Sequence, residues 1–461
     1  MDLLLTHGYF LQEDEAEKRI MKPYPTLGIL YISAYLKAKG FGATVFDSTF
    51  ETRNSFCRYI DQEHPSIVGI YSNLMTKLAV LELLRYCKSK GCIIVVGGPD
   101  VPEYVDEYLA YGADVAVLGE GEETMVELVP TLLLKQSLGQ VAGIAFLDER
   151  GTTVRTKGRP LIKELDTIPL PDRDSIDIMQ YIETWRRYHG MGSVSLICAR
   201  GCPYTCTWCS RSVFGETHRR RTAKNVVNEI ESIRERYKPD MLWFADDVFT
   251  IHQKWFYELH EEMKRRHLKI PFECISRADR LNDDILEKMA DIGSFRIWIG
   301  SESGSQRVLD SMQRRVTLGE IQNVTKLARK HKIQIGLFVM LGYPGEEISD
   351  IEKTVNHLKQ TNADAFLTTV AYPIKGTALF EEVADRIIRQ PEWARITDRN
   401  IRFSGRYSDR FYWFANRYLV NEVGRSQLNH NGNKSLLHSA GTFAKAKLAH
   451  LGMHLTKRRS R

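Results

Sequence analysis

The stretch Cys198-Ala-Arg-Gly-Cys202-Pro-Tyr-Thr-Cys206-Thr-Trp-Cys209 holds four of the chain's eight cysteines within twelve residues. Its last three cysteines are spaced C-x3-C-x2-C, and an apolar run, residues 194–197, leads into them. The deprotonated sulfur is the ligand in such clusters, and clustered thiolates suit a soft metal or an iron–sulfur centre. Three cysteines on one short loop can hold three irons of a cubane, leaving the fourth iron open to a substrate. Structural zinc is the competing reading, with Cys198 as a fourth ligand. Four-cysteine zinc sites usually come as two C-x2-C pairs on separate knuckles. Here there is one such pair, and Cys198 ends a predicted strand, so three ligands and an open position are expected. Cys57, Cys87, Cys92 and Cys274 lie in apolar or helical contexts, as expected of buried thiols in a reducing cytosol.

A run of alternating strands and helices must position the loop. Strands are expected at 194–197, 241–244, 272–275, 295–299, 335–341 and 365–371, with helices at 224–237, 255–266, 283–292, 317–330 and 350–360. Six β/α units in about 190 residues are too few for an eight-fold barrel and fit a partial (β/α)6 barrel. Polar clusters fall at the C-terminal ends of the strands, the face where such barrels place chemistry. They are Asp246-Asp247, Ser276-Arg277, Gly300-Ser-Glu302-Ser-Gly304, Gly342-Tyr-Pro-Gly345 and Tyr372-Pro.

Ahead of the loop, residues 3–5, 44–46, 67–71, 93–96 and 115–118 read as buried parallel strands. Residues 28–39, 77–89, 103–110 and 122–134 read as helices between them. This is the pattern of an open, doubly wound, Rossmann-like α/β sheet, which binds ligands beyond the carboxyl ends of its strands. The residues there are Asp47-Ser48-Thr49, Ser72-Asn73, Gly97-Gly98-Pro99-Asp100 and Gly119-Glu120-Gly121-Glu122. Plain turn chemistry explains any one of these loops; four on one edge favour a ligand site. A β-hairpin (141–147 with 152–156) and a proline-punctuated linker separate the halves. The expected domains are 1–138, Rossmann-like; 139–190, hairpin and linker; 191–385, barrel; and 386–461, an irregular, aromatic and basic extension.

Composition limits the function. Hydrophobic residues make up 43% and charged residues 26%, values typical of a soluble globular protein. The N-terminus lacks the pattern of a signal peptide and no apolar run has the length of a membrane span, so a cytoplasmic protein is expected. The net charge of +6 comes from the tail: Arg425, Lys434, Lys445, Lys447, Lys457, Arg458, Arg459 and Arg461 follow the last acidic residue, Glu422, leaving about −2 for the rest. The body therefore offers no basis for nucleic-acid binding. Residues 436–455 could form a basic amphipathic helix in peripheral contact with a membrane; a solvated or partly disordered tail is the reading favoured over it.

The loop resembles that of the radical S-adenosylmethionine (SAM) superfamily, whose C-x3-C-x2-C cysteines hold a [4Fe–4S] cluster with an aromatic residue before the last. Cys202, Cys206, Trp208 and Cys209 match position for position. The resemblance implies that SAM chelates the open iron and is reductively cleaved to a 5′-deoxyadenosyl radical, which takes hydrogen from unactivated carbon. It implies SAM contacts at Trp208, at Asp246 or Asp247 (sequence does not choose), at Arg277 and at Glu302. It also implies a small-molecule substrate and an electron donor such as flavodoxin or ferredoxin. With the N-terminal Rossmann-like half, the chain resembles the cobalamin-binding radical SAM enzymes, a class that includes C-methyltransferases and the anaerobic magnesium-protoporphyrin monomethyl ester oxidative cyclase. Cobalamin contacts are then expected at Asp47, Ser48, Thr49, Ser72, Asn73, Gly97, Gly98, Pro99, Gly119, Glu120, Gly121 and Glu122. One departure stands out: corrinoid domains with an Asp-x-His-x-x-Gly loop ligate cobalt through its histidine, and Asp47-Ser-Thr-Phe-Glu-Thr has none. Cobalamin would bind without a protein imidazole, or the N-terminal domain would serve substrate or partner instead. A non-catalytic iron–sulfur or corrinoid sensor is the reading from a different class, and the intact strand-end carboxylates argue against it.

Overall fold

The computed structural model describes residues 1–389, 392–430 and 436–458. Lys434, Arg459 and Arg461 of the basic tail lie outside them. The chain forms two compact units, one of residues 1–203, 210–245 and 391–399, the other of 204–209, 246–390 and 400–461.

The first unit opens with β1 (Leu3–His7), α1 (Glu15–Ile20), α2 (Leu27–Ala38), β2 (Thr44–Phe46), α3 (Arg53–Glu63) and β3 (Ile67–Tyr71). It continues with α4 (Lys77–Ser89), β4 (Ile93–Gly97), α5 (Val105–Ala110), β5 (Val115–Val117) and α6 (Glu122–Leu133). The five strands pair in parallel in the order β2-β1-β3-β4-β5. Because strand side chains alternate between faces, Leu4, Val68, Ile94 and Ala116 bury one face against Phe56, Leu81 and Tyr108. Leu3, Leu5, Val95 and Val115 bury the other against Leu30 and Leu128. Helices thus cover both faces, the arrangement that keeps a parallel sheet dry. The strand order reverses between β1 and β3, which is the switch point of the doubly wound sheet. The hairpin, β6 (Ile144–Leu147) and β7 (Thr153–Arg155), continues this sheet antiparallel to β5 and supplies partners for what would otherwise be an open edge.

Helix α3 has no counterpart in the sequence expectation. A Thr52–Ser55 capping box starts it, but only Phe56 and Ile60 are buried, so it carries too short an apolar stripe to announce itself.

Next come α7 (Ile178–His189), β8 (Ser193–Leu196), the short antiparallel pair β9 (Ala199–Arg200) and β10 (Arg219–Arg220), α8 (Ala223–Tyr237), and β11 (Met241–Phe244), parallel to β8. The second unit holds α9 (Gln253–Arg265), β12 (Phe272–Ser276), α10 (Asp283–Ile292), β13 (Ser294–Glu302), α11 (Gln306–Ser311), α12 (Leu318–Lys330), β14 (Gln334–Leu341), α13 (Ile348–Thr361) and β15 (Ala365–Val370). Strands β12 to β15 are parallel neighbours in chain order. Strands β8 and β11 supply the other two strand positions expected of a partial (β/α)6 barrel.

After α14 (Ala378–Val383), the aromatic segment expected to be irregular is largely one long helix, α15 (Asp409–His430). Phe411, Ala415, Leu419 and Val423 recur every fourth residue and are fully buried, while Trp413 faces out with the Arg417 guanidinium over its ring. The crowding of aromatic residues masks this period. The stretch favoured as a solvated or partly disordered tail is instead helix α16 (Leu436–Leu455), which buries Ala446, Ala449 and Met453. No helix among the described residues is long and apolar enough to cross a membrane.

Candidate functional site

None of the eight cysteines forms a disulfide. Cys198 is fully buried just beyond β8, Cys202 is half-buried, Cys206 is buried and Cys209 is exposed on the loop. The strand that feeds the loop is braced from behind. Arg173 donates to the Ser195 carbonyl at 2.8 Å and Arg221 to the Ile197 carbonyl at 3.0 Å, and both guanidiniums pair with the buried Glu229. Burial works to raise the Glu229 carboxyl, but the two arginines outweigh it and hold it below the usual range.

The loop's two flanks, β9 and β10, are tied to the strand-end loop of β5. Arg200 donates to Glu120 at 2.7 Å and also pairs with Glu122. Arg219 meets both oxygens of Glu120 at 2.9 Å and the Ile162 carbonyl at 2.6 Å. On the next loop, the Pro99 carbonyl accepts from Ser212 at 2.7 Å. Thus the carboxylates of Glu120 and Glu122, two of the expected cobalamin contacts, grip the base of the cysteine loop. At the neighbouring turn Gly98 has φ +109, and a Cβ there would collide with the Ser72 carbonyl.

Most other expected cobalamin contacts are also engaged within the chain. Asp47 accepts from His7 Nε2 at 3.0 Å, Tyr181 at 2.7 Å and the Thr49 amide at 3.1 Å. Burial pushes its carboxyl up, and those hydrogen bonds more than reverse it, leaving it below the usual range. Ser48 lies 3.1 Å from the Thr6 hydroxyl, and the Thr49 hydroxyl lies 2.6 Å from that of Tyr181, whose one proton goes to Asp47. Ser72 pairs with the Tyr108 hydroxyl at 2.6 Å, and Asn73 caps its own turn by accepting from the Met75 and Thr76 amides. The histidine absent from the Asp47 loop is supplied in space by β1. His7 Nδ1 accepts from the Tyr9 amide at 3.1 Å, so Nε2 carries the proton given to Asp47. Both ring nitrogens are therefore occupied, and His7 has no lone pair left for a metal.

Sequence reasoning missed the opening at the β1/β3 switch point. A cleft of about 160 Å³ lies there, lined by residues that include Gly8, Tyr9, Tyr24, Thr26, Tyr71 and Asn73. Its location is the one a doubly wound sheet dictates, and that topology was the available signal.

In the second unit, the cysteine loop is clamped by Thr207, whose amide donates to the Met312 carbonyl at 3.2 Å and whose hydroxyl lies 2.7 Å from the Tyr343 hydroxyl. Trp208 packs against an apolar cluster that includes Met312, Met340 and Phe403. Arg277, at the end of β12, is 1% exposed. Its Nε donates to Asp279 at 2.8 Å, its Nη2 to the Arg314 carbonyl at 2.9 Å, and the group lies 3.7 Å from the Tyr204 ring centre. Its Nη1 has no hydrogen-bond partner among the described residues, so a buried cationic donor is held ready for an acceptor.

Glu302 ends β13 at φ +54, in the left-handed region, where the register against β14 shifts between Gly300 and Glu302. Such bulges re-aim a side chain. Burial pushes the Glu302 carboxyl up to about 7, against the pull of Arg314 at 4.0 Å. A Cβ at Gly300 would collide with both side chains. Arg314, which no motif marked, also brings Nη1 to 3.9 Å from Cys206 Sγ. Asp246 is buried, while Asp247 is exposed on the open face shared with Trp243 and Ala245. Glu346, also unmarked, is buried with its carboxyl pushed up to about 8 by burial; one oxygen accepts from the Gly342 amide at 2.6 Å and the other has no partner among the described residues.

The donor set fits an iron–sulfur cluster and its ligand: three thiols on one loop, and a buried arginine with an unused donor. Residues 196–358 match the radical SAM superfamily, and residues 19–129 match the B12 binding domain. The chain is 27% identical over 383 residues to an uncharacterised methyltransferase of Pyrococcus horikoshii, covering 81% of this chain and 82% of that one. It is 27% identical over 380 residues to the anaerobic magnesium-protoporphyrin IX monomethyl ester cyclase of Rubrivivax gelatinosus, covering 79% and 67%. Among solved structures, the cobalamin-dependent S-adenosylmethionine radical enzyme OxsB with aqua-cobalamin bound has a similar fold, with a TM-score of 0.75 at 17% identity over 98% of this chain and 80% of that one.

Proposed function

Since the chain belongs to the radical SAM enzymes that carry a B12-binding domain, we propose that it transfers a methyl group to an unactivated carbon of a small molecule. The observation that carries this reading is one chain holding both the three-cysteine loop, inside its radical SAM match, and a B12-binding match. Cys202, Cys206 and Cys209 would hold the [4Fe–4S] cluster. With SAM and cobalamin bound, these groups supply a carbon-centred oxidant and a methyl donor. The chain's own part is binding, orientation and exclusion of water. Arg277, whose Nη1 has no hydrogen-bond partner among the described residues, is assigned the SAM carboxylate. Asp247, on the more open face of its strand end, is assigned the SAM amino group, with Asp246 behind it. Glu302, close to neutral, is assigned a SAM hydroxyl, which it can meet as donor or acceptor. Trp208 stiffens the cysteine loop through its apolar packing.

On the corrin side, Asp47, Ser48, Thr49, Ser72, Asn73, Glu120 and Glu122 act mainly by shaping the sheet edge, and Gly97, Gly98, Pro99, Gly119 and Gly121 let backbone approach the ligand. The switch-point cleft suits one appendage of the cofactor, because its volume is well below the several hundred Å³ of a pocket for a whole small molecule. Cobalamin would bind there without an imidazole from His7, whose two ring nitrogens are both engaged.

Similarity to the cyclase favours a second reading, oxidative ring closure. Anaerobic turnover of reconstituted protein separates the two. S-adenosylhomocysteine and 5′-deoxyadenosine together support methyl transfer; 5′-deoxyadenosine alone supports closure. Failure to retain corrin absorbance after incubation with hydroxocobalamin would sink both in favour of a cobalamin-independent enzyme.

The electron is assigned to a flavodoxin or ferredoxin. Peripheral membrane contact is assigned to α16, which exposes Phe443, Leu448, Leu451 and Leu455 beside Lys445 and Lys447. Cosedimentation with anionic vesicles, lost in Leu448→Ser/Leu451→Ser, checks it.

A further inference from the structure

Helix α16 carries His450 and His454 one turn apart, so both imidazoles project from one face. Across from them stands Glu352 of α13. His450 Nε2 lies 3.0 Å from Glu352 Oε1 and 3.4 Å from His454 Nε2. One ligand atom from each of the three residues falls within 4.8 Å of the other two. All three belong to the second unit.

Hydrogen bonding accounts poorly for this convergence. An imidazole nitrogen has one in-plane position, filled either by a proton or by a lone pair. His450 Nε2 faces a carboxylate oxygen and a second imidazole nitrogen at once, and its single in-plane position cannot serve both squarely. A cation between the three groups satisfies all of them through their lone pairs. The spacing agrees with that arrangement. With bonds of about 2.0–2.1 Å to nitrogen, the edge of a tetrahedral zinc site is about 3.3–3.4 Å, and the two histidine nitrogens stand at 3.4 Å.

The supports are rigid. Tyr418 of α15 packs its ring 4.7 Å from that of His450 and fixes its tilt. Around Glu352, helix α13 is sewn to the end of β13. Asp350 accepts from Ser305 at 2.7 Å, and His357 and Thr354 lie 3.1 and 3.3 Å from the hydroxyls of Ser301 and Ser303.

We propose that Glu352, His450 and His454 bind a divalent first-row transition ion of the zinc class, with a fourth position open to water, and that this ion fastens the C-terminal helix to the barrel helix α13. Two imidazoles and a carboxylate are the nitrogen–oxygen set such ions take. The site is independent of the cysteine cluster and of the proposed reaction.

The test uses the full chain, cluster-loaded and with any affinity tag removed, so that the cysteines are occupied. Zinc is equilibrated with the wild type and with His450→Ala/His454→Ala and counted by elemental analysis. The wild type is expected to hold one zinc more per chain than the double variant, and zinc is expected to raise the melting temperature of the wild type alone. Should the double variant fail to fold, His454→Asn keeps a polar group there and is expected to weaken zinc binding at least tenfold. Equal zinc in wild type and variants, or no zinc in the wild type at micromolar concentration, overturns the proposal.

Discussion

The two sets of strand-end loops look alike in sequence and behave oppositely in structure. In the N-terminal sheet, Asp47, Ser48, Thr49, Ser72, Glu120 and Glu122 spend their polar groups on one another and on Tyr181, Tyr108, Arg200 and Arg219. In the barrel, Arg277 and Glu346 each bury an atom without a partner among the described residues, and Glu302 sits near neutrality in a left-handed conformation. Satisfied networks rigidify a scaffold; unsatisfied buried groups cost free energy and persist where a ligand completes them. The first edge holds a shape, and the second is assigned the recognition.

The largest expected effect probes the centre of the barrel set. Cys202→Ala, Cys206→Ala or Cys209→Ala each abolishes cluster retention and SAM cleavage, whereas Cys198→Ala keeps iron and sulfide content near that of the wild type. Iron assay and 5′-deoxyadenosine yield check this. Loss of the cluster in Cys198→Ala would return the four-ligand reading.

Next comes the N-terminal edge. Glu120→Ala leaves Arg219 with only the Ile162 carbonyl and Arg200 with Glu122 alone, and removing one partner of a buried ion pair costs about 3–5 kcal/mol. Denaturant unfolding should show that loss, and the cysteine loop should take up its cluster poorly because its flanks are no longer held. If Glu120→Ala folded as stably as the wild type and lost only corrin binding, the contrast between the two edges would collapse.

The sequence made the strands and most helices legible because burial imposes periods of two and 3.6, and it made the cluster legible because thiolate ligands must be close along a loop. Partners were not legible. Nothing local distinguishes Glu120, which two arginines claim, from Glu302, which a bulge re-aims beside Arg314. Nor does the Asp47 loop reveal that β1 brings His7 to it from forty residues away. Helix α15 was hidden for the converse reason, its four-residue period drowned by aromatic residues on every side.

A smaller effect is expected at Arg277. A hydrogen bond to a charged group contributes about 1.5–3 kcal/mol, so Arg277→Lys should weaken SAM binding by about ten- to a hundredfold while cluster content stays unchanged. Isothermal titration with SAM under anaerobic conditions measures it. An unchanged affinity would remove Arg277 from the set of ligand-facing groups.

The last effect sits at Glu346 and is read as a pH dependence. Burial pushes its carboxyl from the ordinary value of 4.5 up to about 8 in the folded chain, with the Gly342 amide pulling the other way. Between those values the folded state holds a proton that the unfolded state has released, so stability falls as pH rises. The contribution is whole below about 4.5, shrinks across the interval and is spent above about 8. Glu346→Gln mimics the protonated carboxyl at every pH. The melting temperature of the variant should therefore match that of the wild type near pH 5, exceed it increasingly towards pH 8, and run parallel to it beyond. A constant difference across that range would mean that Glu346 is ionised and paired in the folded chain, and the barrel edge would then resemble the N-terminal one at this position.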